Sequence, residues 1–266
     1  MPEAAVPVEL VTRAWTPRGP ASPGTPHVVL VHGVTGWHRT WWRMGPALAA
    51  AGWRAVAVDF RGHGHSPRIE GAATVADFAA DLVAVIERIG RPAALVGHSL
   101  GAAVGAELCV ARPDLVTRAV LEDPPSVTRT DDTEWQANLE REIQAARENP
   151  AAEIERERAE NPGWQAEDVR QNVEGRALAD ANGILASYRN ETGARVLQLA
   201  PRQTVPISYL LATKERSVFR GDARRQLEMT LPANASLAVI DAGHTIHRDA
   251  YDPYLEHVLR WLEAAR

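Results

Sequence analysis

Residues 93–111 read Ala93-Ala94-Leu95-Val96-Gly97-His98-Ser99-Leu100-Gly101-Ala102-Ala103-Val104-Gly105-Ala106-Glu107-Leu108-Cys109-Val110-Ala111. A short apolar run meets Gly-x-Ser-x-Gly and passes into a small-residue run of helical character. The pattern is strand, tight corner, helix, with a serine at the apex of the corner. Such a corner bends the backbone sharply, and its glycines leave room where side chains would strike the strand or the helix. The serine oxygen is lifted clear of the sheet, at a helix N-terminus that favours developing negative charge. Gly-x-Ser-x-Gly arises by chance in roughly one chain in ten of this length. A glycine-rich turn with an idle serine is therefore the competing explanation, and the surrounding chain has to decide.

Upstream, Val8 to Thr16 reads as a strand, followed by the turn-rich Pro17-Arg18-Gly19-Pro20. His27-Val28-Val29-Leu30-Val31-His32-Gly33 and Arg54-Ala55-Val56-Ala57-Val58-Asp59-Phe60 are continuous apolar strands, the signature of strands covered on both faces. Thr40 to Ala51 reads as the helix between them. Thr74 to Ile89 is a strongly amphipathic helix: Thr74 and Asp77 form a capping box, Val75, Phe78, Leu82, Val85, Ile86 and Ile89 line one face, and Gly90 ends it. Downstream, Arg118 to Leu121, Ile207 to Ala212 and Leu237 to Ile240 read as strands, and Asp252 to Ala265 as the last helix. Strands alternating with helices predict an α/β fold with a mostly parallel sheet flanked by helices.

Residues 126–201 break that rhythm. They hold no strand, are rich in Glu, Arg, Ala and Gln, and carry Trp135 and Trp164. The expectation is an inserted helical lid between a first core part, 1–125, and a second, 202–266. Two tryptophans in so polar a stretch need apolar surface to cover; solvated surface helices are the alternative.

The chain has 266 residues, 45% of them apolar and 24% charged, with a formal net charge of -5. Charge is spread without long runs, which argues against a nucleic-acid footprint or a polybasic anchor. Cys109 stands alone, so no internal disulfide forms and a cysteine metal cluster is excluded. No apolar run approaches a membrane span, and no basic-then-apolar leader is visible, so a cytoplasmic protein is expected.

A serine hydroxyl needs a base. His244 follows the last strand, and loops at the C-terminal ends of parallel strands share one face, which brings it toward Ser99. His247 is its competitor, and a metal pair of the two histidines lacks further ligands, so no metal is expected. The base needs a carboxylate. Asp123, at the end of the next strand, is the preferred acid; Glu215, after the strand beyond the insertion, and Glu122 remain alternatives. The oxyanion donors expected are the backbone N–H groups of Leu100 and Val34. Trp37, Trp41 and Trp42 are close in sequence to that second loop, as pocket wall or packed core.

His32-Gly33, Asp59-x-Arg61-Gly62-His63-Gly64-x-Ser66, Gly97-His98-Ser99-Leu100-Gly101 and Gly243-His244 together resemble the α/β-hydrolase superfamily, in its lidded serine esterase and lactonase branch. The resemblance covers about residues 25–124 and 205–266 and leaves the insertion unmatched. Most relatives place the acid after the strand beyond the lid in a Gly-x-x-Asp setting; here that position reads Ala212-x-x-Glu215. The resemblance implies a cofactor-free hydrolase acting on a small ester or lactone through an acyl-enzyme, with no nucleic-acid or membrane partner and with a homodimer allowed. Rival functions are cleavage of a C–C bond in a diketone, cofactor-free haloperoxidase-like chemistry, and a ligand-sensing receptor that keeps the triad. Serine rather than aspartate at position 99 argues against haloalkane dehalogenase or epoxide hydrolase chemistry.

Overall fold

A computed structural model of the chain describes residues 6–19, 24–126, 132–190, 195–213, 216–219 and 221–264. Seven strands form one sheet: β1 (Thr12–Trp15), β2 (His27–Val31), β3 (Arg54–Val58), β4 (Ala93–His98), β5 (Val116–Glu122), β6 (Ile207–Ala212) and β7 (Ala235–Ile240), in the order β1-β3-β2-β4-β5-β6-β7. β1 pairs antiparallel with β3 and every other pairing is parallel. The apolar runs are central strands buried on both faces. In β2, Val29 and Val31 face the core beneath α2 (Val75–Ile89) and α3 (Leu100–Ala111), while Val28 and Leu30 face α1 (Met44–Ala50) and the C-terminal helix. This alternation of period two places one core on each side of the sheet.

Between β5 and β6 lie α4 (Thr133–Glu148), α5 (Pro150–Glu160), α6 (Ala166–Leu178), α7 (Ala181–Asn190) and α8 (Val196–Leu199). The insertion is anchored by apolar contact: Leu139 and Ile143 of α4 and Ile184 and Leu185 of α7 join the core that α2 and α3 share. Trp135 rests on Tyr188, ring centroids 4.6 Å apart. Beyond β6 come α9 (Asp222–Thr230), α10 (Ile246–Asp249) and α11 (Tyr251–Glu263). Among the described residues, no helix is long and apolar enough to cross a membrane.

The α2 signals act as written in the sequence. Thr74 accepts from the Asp77 N–H and Asp77 answers to the Thr74 N–H, while Gly90 closes the helix in a left-handed conformation, φ 78°. Beyond shifts of one or two residues at strand and helix ends, three features differ from expectation. β1 starts at Thr12 rather than Val8, because Val8 N–H donates to Asp81 Oδ1 (2.8 Å) and Val11 N–H to Ser66 Oγ (2.8 Å), so neither amide serves a ladder. The helix expected over 40–51 is split into a 3₁₀ turn, His38–Trp41, and α1. Pro46 is the reason: it lacks the N–H that would bond back to the Trp42 carbonyl, and its ring crowds that carbonyl. α9 was not anticipated, since Leu227 is its one buried residue and its apolar signal is thin.

Candidate active site

Ser99 sits between β4 and α3 with φ 51° and ψ -115°, the strained corner expected of the pentapeptide. The corner is tight enough that a Cβ on Gly101 would lie 2.3 Å from the Val31 carbonyl oxygen, so only glycine fits there. Ser99 N–H donates to the Glu122 carbonyl (2.9 Å), which ties the corner to the end of β5. Ala102 and Ala103 N–H both bond the Ser99 carbonyl. Leu100 opens α3, and a helix's first N–H has no partner within its own helix.

The chain turns again immediately after β5. Asp123 has φ 38°, so the strand's alternation stops and the two neighbouring carboxylates reach different partners. Asp123 is fully buried. Its Oδ2 accepts from His244 Nδ1 at 2.7 Å and from Val218 N–H at 3.1 Å; its Oδ1 accepts from Ser217 Oγ at 2.7 Å and Ala212 N–H at 3.3 Å. Three donors besides the histidine hold this carboxylate in place. Because Nδ1 carries the proton toward Asp123, the neutral ring keeps its lone pair on Nε2. Glu122 pairs with His247: Oε1 accepts from His247 N–H at 3.0 Å and from Nδ1 at 2.9 Å. Glu215 lies outside the described residues.

His98, next to the serine, packs against both imidazoles, tilted 46° to one and edge-on to the other at 71°. Its ring lies 4.7 Å from that of His244 and 4.9 Å from that of His247. Its Nε2–H donates to the His244 carbonyl at 3.1 Å. Burial holds both His98 and His247 well below the ordinary histidine range. His98, Glu122 and His247 also form a group whose ligand-type atoms lie within 4.8 Å of one another. Two of the nitrogens involved, His247 Nδ1 and His98 Nε2, carry protons engaged by Glu122 and by the His244 carbonyl, so the trio is built as a hydrogen-bond network.

Ser99 and His244 line one cavity of about 200 Å³, with Gly33, Val34 and Thr35 along one side. Gly33 to Gly36 form a closed turn, Gly36 N–H to the Gly33 carbonyl at 3.0 Å, with Thr35 at φ 61°. Val34 therefore borders the cavity that Ser99 lines. The insertion supplies the opposite wall: Glu157, Trp164, Asn172 and Arg176, joined by Arg216 and Arg248 from the core. Trp37 and Trp41 are packed core. Trp37 donates its indole N–H to the Gln171 carbonyl (3.1 Å) and Trp42 donates to Asp168 Oδ1 (2.8 Å), both on α6. The Asp59-x-Arg61 motif is scaffold: Asp59 accepts from His38 and His65 N–H, and Arg61 grips Asp81 through two bonds of 2.6 Å. Cys109 is buried, its thiol pushed up to about 12 by desolvation.

The sequence reading named neither the Glu122–His247 pair nor the arginines of the cavity. Two adjacent carboxylates, Glu122-Asp123, and two histidines, His244-x-x-His247, are the signal the sequence offers for the first. The second arises from segments far apart in the chain and left no local pattern.

A family model described as the alpha/beta hydrolase fold matches residues 26–172. BpoC of Mycobacterium tuberculosis, which carries the name of a non-heme bromoperoxidase, is 39% identical over 114 residues, 42% of this chain and 42% of its own. Lipase LipV of the same organism is 37% identical over 118 residues, 44% of this chain and 42% of its own. The matched stretches thus span less than half the length of these relatives. The crystal structure of BpoC is alike in fold, with a TM-score of 0.72 at 23% identity over 99% of both chains.

Proposed function

The chain belongs to the α/β-hydrolase fold family, and from that premise we propose that it is a serine hydrolase cleaving a carboxylic ester or lactone through an acyl-enzyme. Ser99 Oγ attacks the carbonyl while His244 Nε2 takes its proton. The same nitrogen returns that proton to the leaving oxygen, and a water activated in the same way releases the acid. Asp123 fixes the tautomer of His244 and stabilises the imidazolium. The N–H groups of Leu100 and Val34 hold the oxyanion, helped by the positive end of α3. The helices between β5 and β6 act as a lid that closes the acyl pocket.

One observation carries the reading: the 2.7 Å bond from His244 Nδ1 to a fully buried Asp123, in a cavity that the strained Ser99 also lines. The mechanism asks for no metal or cofactor. The experiment is turnover of neutral short-chain esters and labelling by a fluorophosphonate. The parent protein should be labelled at Ser99, and Ser99→Ala should lose at least about a thousandfold in kcat/KM. Turnover by Ser99→Ala within tenfold of the parent removes the serine mechanism.

A further inference from the structure

The cavity over Ser99 is walled by three arginines against one glutamate, and their partners divide them. Glu157 is committed: it accepts from Arg176 Nη1 at 2.5 Å and from Asn161 Nδ2 at 3.0 Å. Arg176 is thereby neutralised. Arg248 is different. It is 5% exposed, and among the described residues its one side-chain hydrogen bond runs from Nη1 to the neutral Asn172 Oδ1, at 2.7 Å. Its Nε–H is buried and has no partner among the described residues. Its guanidinium lies over the Trp164 ring, 4.7 Å from the centroid, which fixes its plane. Arg216, an exposed residue of the same lining, has one side-chain hydrogen bond among the described residues, to the neutral Asn161 Oδ1 at 2.7 Å. Neither has a carboxylate partner among the described residues.

A buried cation without a counter-ion is costly, and natural interiors pair such charges. The carboxylates whose charge reaches Arg248 are Asp168, Glu157 and Glu122, and each holds another partner by hydrogen bond. Asp168 accepts from Trp42 Nε1, Glu122 from His247, and Glu157 holds Arg176. A guanidinium held flat by an indole, with an unused N–H, is a preformed fork for a planar carboxylate.

We propose that the cavity selects small substrates carrying a free carboxylate besides the scissile carbonyl, with that carboxylate bound by Arg248 and steered in by Arg216. This rests on the serine-hydrolase reading above, which supplies the scissile carbonyl. The substrate class is a monoester or lactone of a small dicarboxylic acid. Trp164 and Asn172 act as positioning residues for Arg248.

The test compares matched pairs: monoethyl succinate, glutarate and adipate, each against the neutral ethyl ester in which an isopropyl group replaces the carboxylate. Proton release follows hydrolysis, and titration calorimetry with succinate follows binding. The best anionic ester should exceed its neutral partner at least about tenfold in kcat/KM. Arg248→Gln should lower that ratio by about a hundredfold and abolish succinate binding. Arg216→Gln, on an exposed side chain that does not threaten folding, should lower it about threefold. It carries the test if Arg248→Gln does not fold. Equal ratios in the parent and both variants, with no succinate binding, overturn the proposal. If fluorophosphonate labelling and neutral-ester turnover persist alongside that result, the hydrolase reading survives alone. Arg248-dependent succinate binding in a protein that neither labels nor turns over esters keeps the anion site and removes the hydrolase reading.

Discussion

Asp123 and Glu122 are neighbours in the chain, and each binds a histidine from the stretch after β7, His244 before α10 and His247 within it, yet the two pairs differ in what surrounds them. The His244 side chain is 25% exposed and borders the cavity, while His247 is 3% exposed. Asp123 is held by donors from the Ala212 and Ser217–Val218 segments as well as by its histidine. The Glu122 oxygens receive both of the hydrogen bonds that His247 offers them, one from backbone and one from ring. Same chemistry, different access: a histidine–carboxylate pair becomes a general base only where the ring's free nitrogen meets substrate. The inner pair instead braces the outer one, with the His98 ring in contact with both imidazoles.

The largest expected effect separates the pairs by activity. Asp123→Asn should lower ester turnover by about four orders of magnitude, whereas Glu122→Gln should stay within about tenfold of the parent. Steady-state kinetics on both variants decide it. Equal losses would mean the two pairs act as one unit.

A smaller effect separates them by stability. Glu122→Gln leaves part of the His247 hydrogen bonding unmet inside the protein, which should cost about 1–3 kcal/mol in urea unfolding. A shift under about 0.5 kcal/mol, the level of an ordinary surface change, would strip the inner pair of its bracing role.

The smallest effect is in pH. Burial keeps His98 and His247 neutral in the folded protein, as it does His32, pushed down to about 3, and His63, to about 4. The unfolded chain protonates its histidines near about pH 6.5. Below that, the unfolded state binds more protons, so the stabilisation is complete above about pH 6.5 and is lost as pH falls. Each such histidine adds a slope of about 1.4 kcal/mol per pH unit. Glu122, raised from 4.5 by burial, contributes with the opposite sign: its share is present below the unfolded value and is lost as pH rises. Unfolding free energies measured from pH 7.5 downward should therefore fall more steeply in Glu122→Gln than in the parent. A shallower slope in that variant would break this account.

What the sequence made legible was local. The Ser99 corner, the Thr74–Asp77 cap and Gly90 are decided by residues in mutual contact within a turn or two. The central strands were readable because burial on both faces demands an unbroken apolar run. The pairing of His244 with a carboxylate followed from strand order alone, but the choice among Asp123, Glu122 and Glu215 depended on where a backbone with φ 38° aims two adjacent side chains. The cavity's opposite wall was out of reach. Arg176 and Trp164 come from the insertion, Arg216 from the segment after β6, and Arg248 from α10. Only the folded chain brings these four to Ser99.

α6 is bound in three ways to residues 33–42, the segment that opens with the turn carrying Val34. Trp37 donates to the Gln171 carbonyl, Trp42 to Asp168, and Gly175 lies so near the Thr35 carbonyl that a Cβ there would approach it to 2.5 Å. For anyone recombining parts of related proteins, this sets the smallest transplantable module. The insertion cannot be swapped as a cassette bounded by β5 and β6. A foreign insertion would strand two indole N–H groups and press on the Thr35 carbonyl wherever its helix lacked a glycine in register. The module that travels is the insertion together with residues 33–42, so the two stretches of the cavity lining they supply are inherited as one piece.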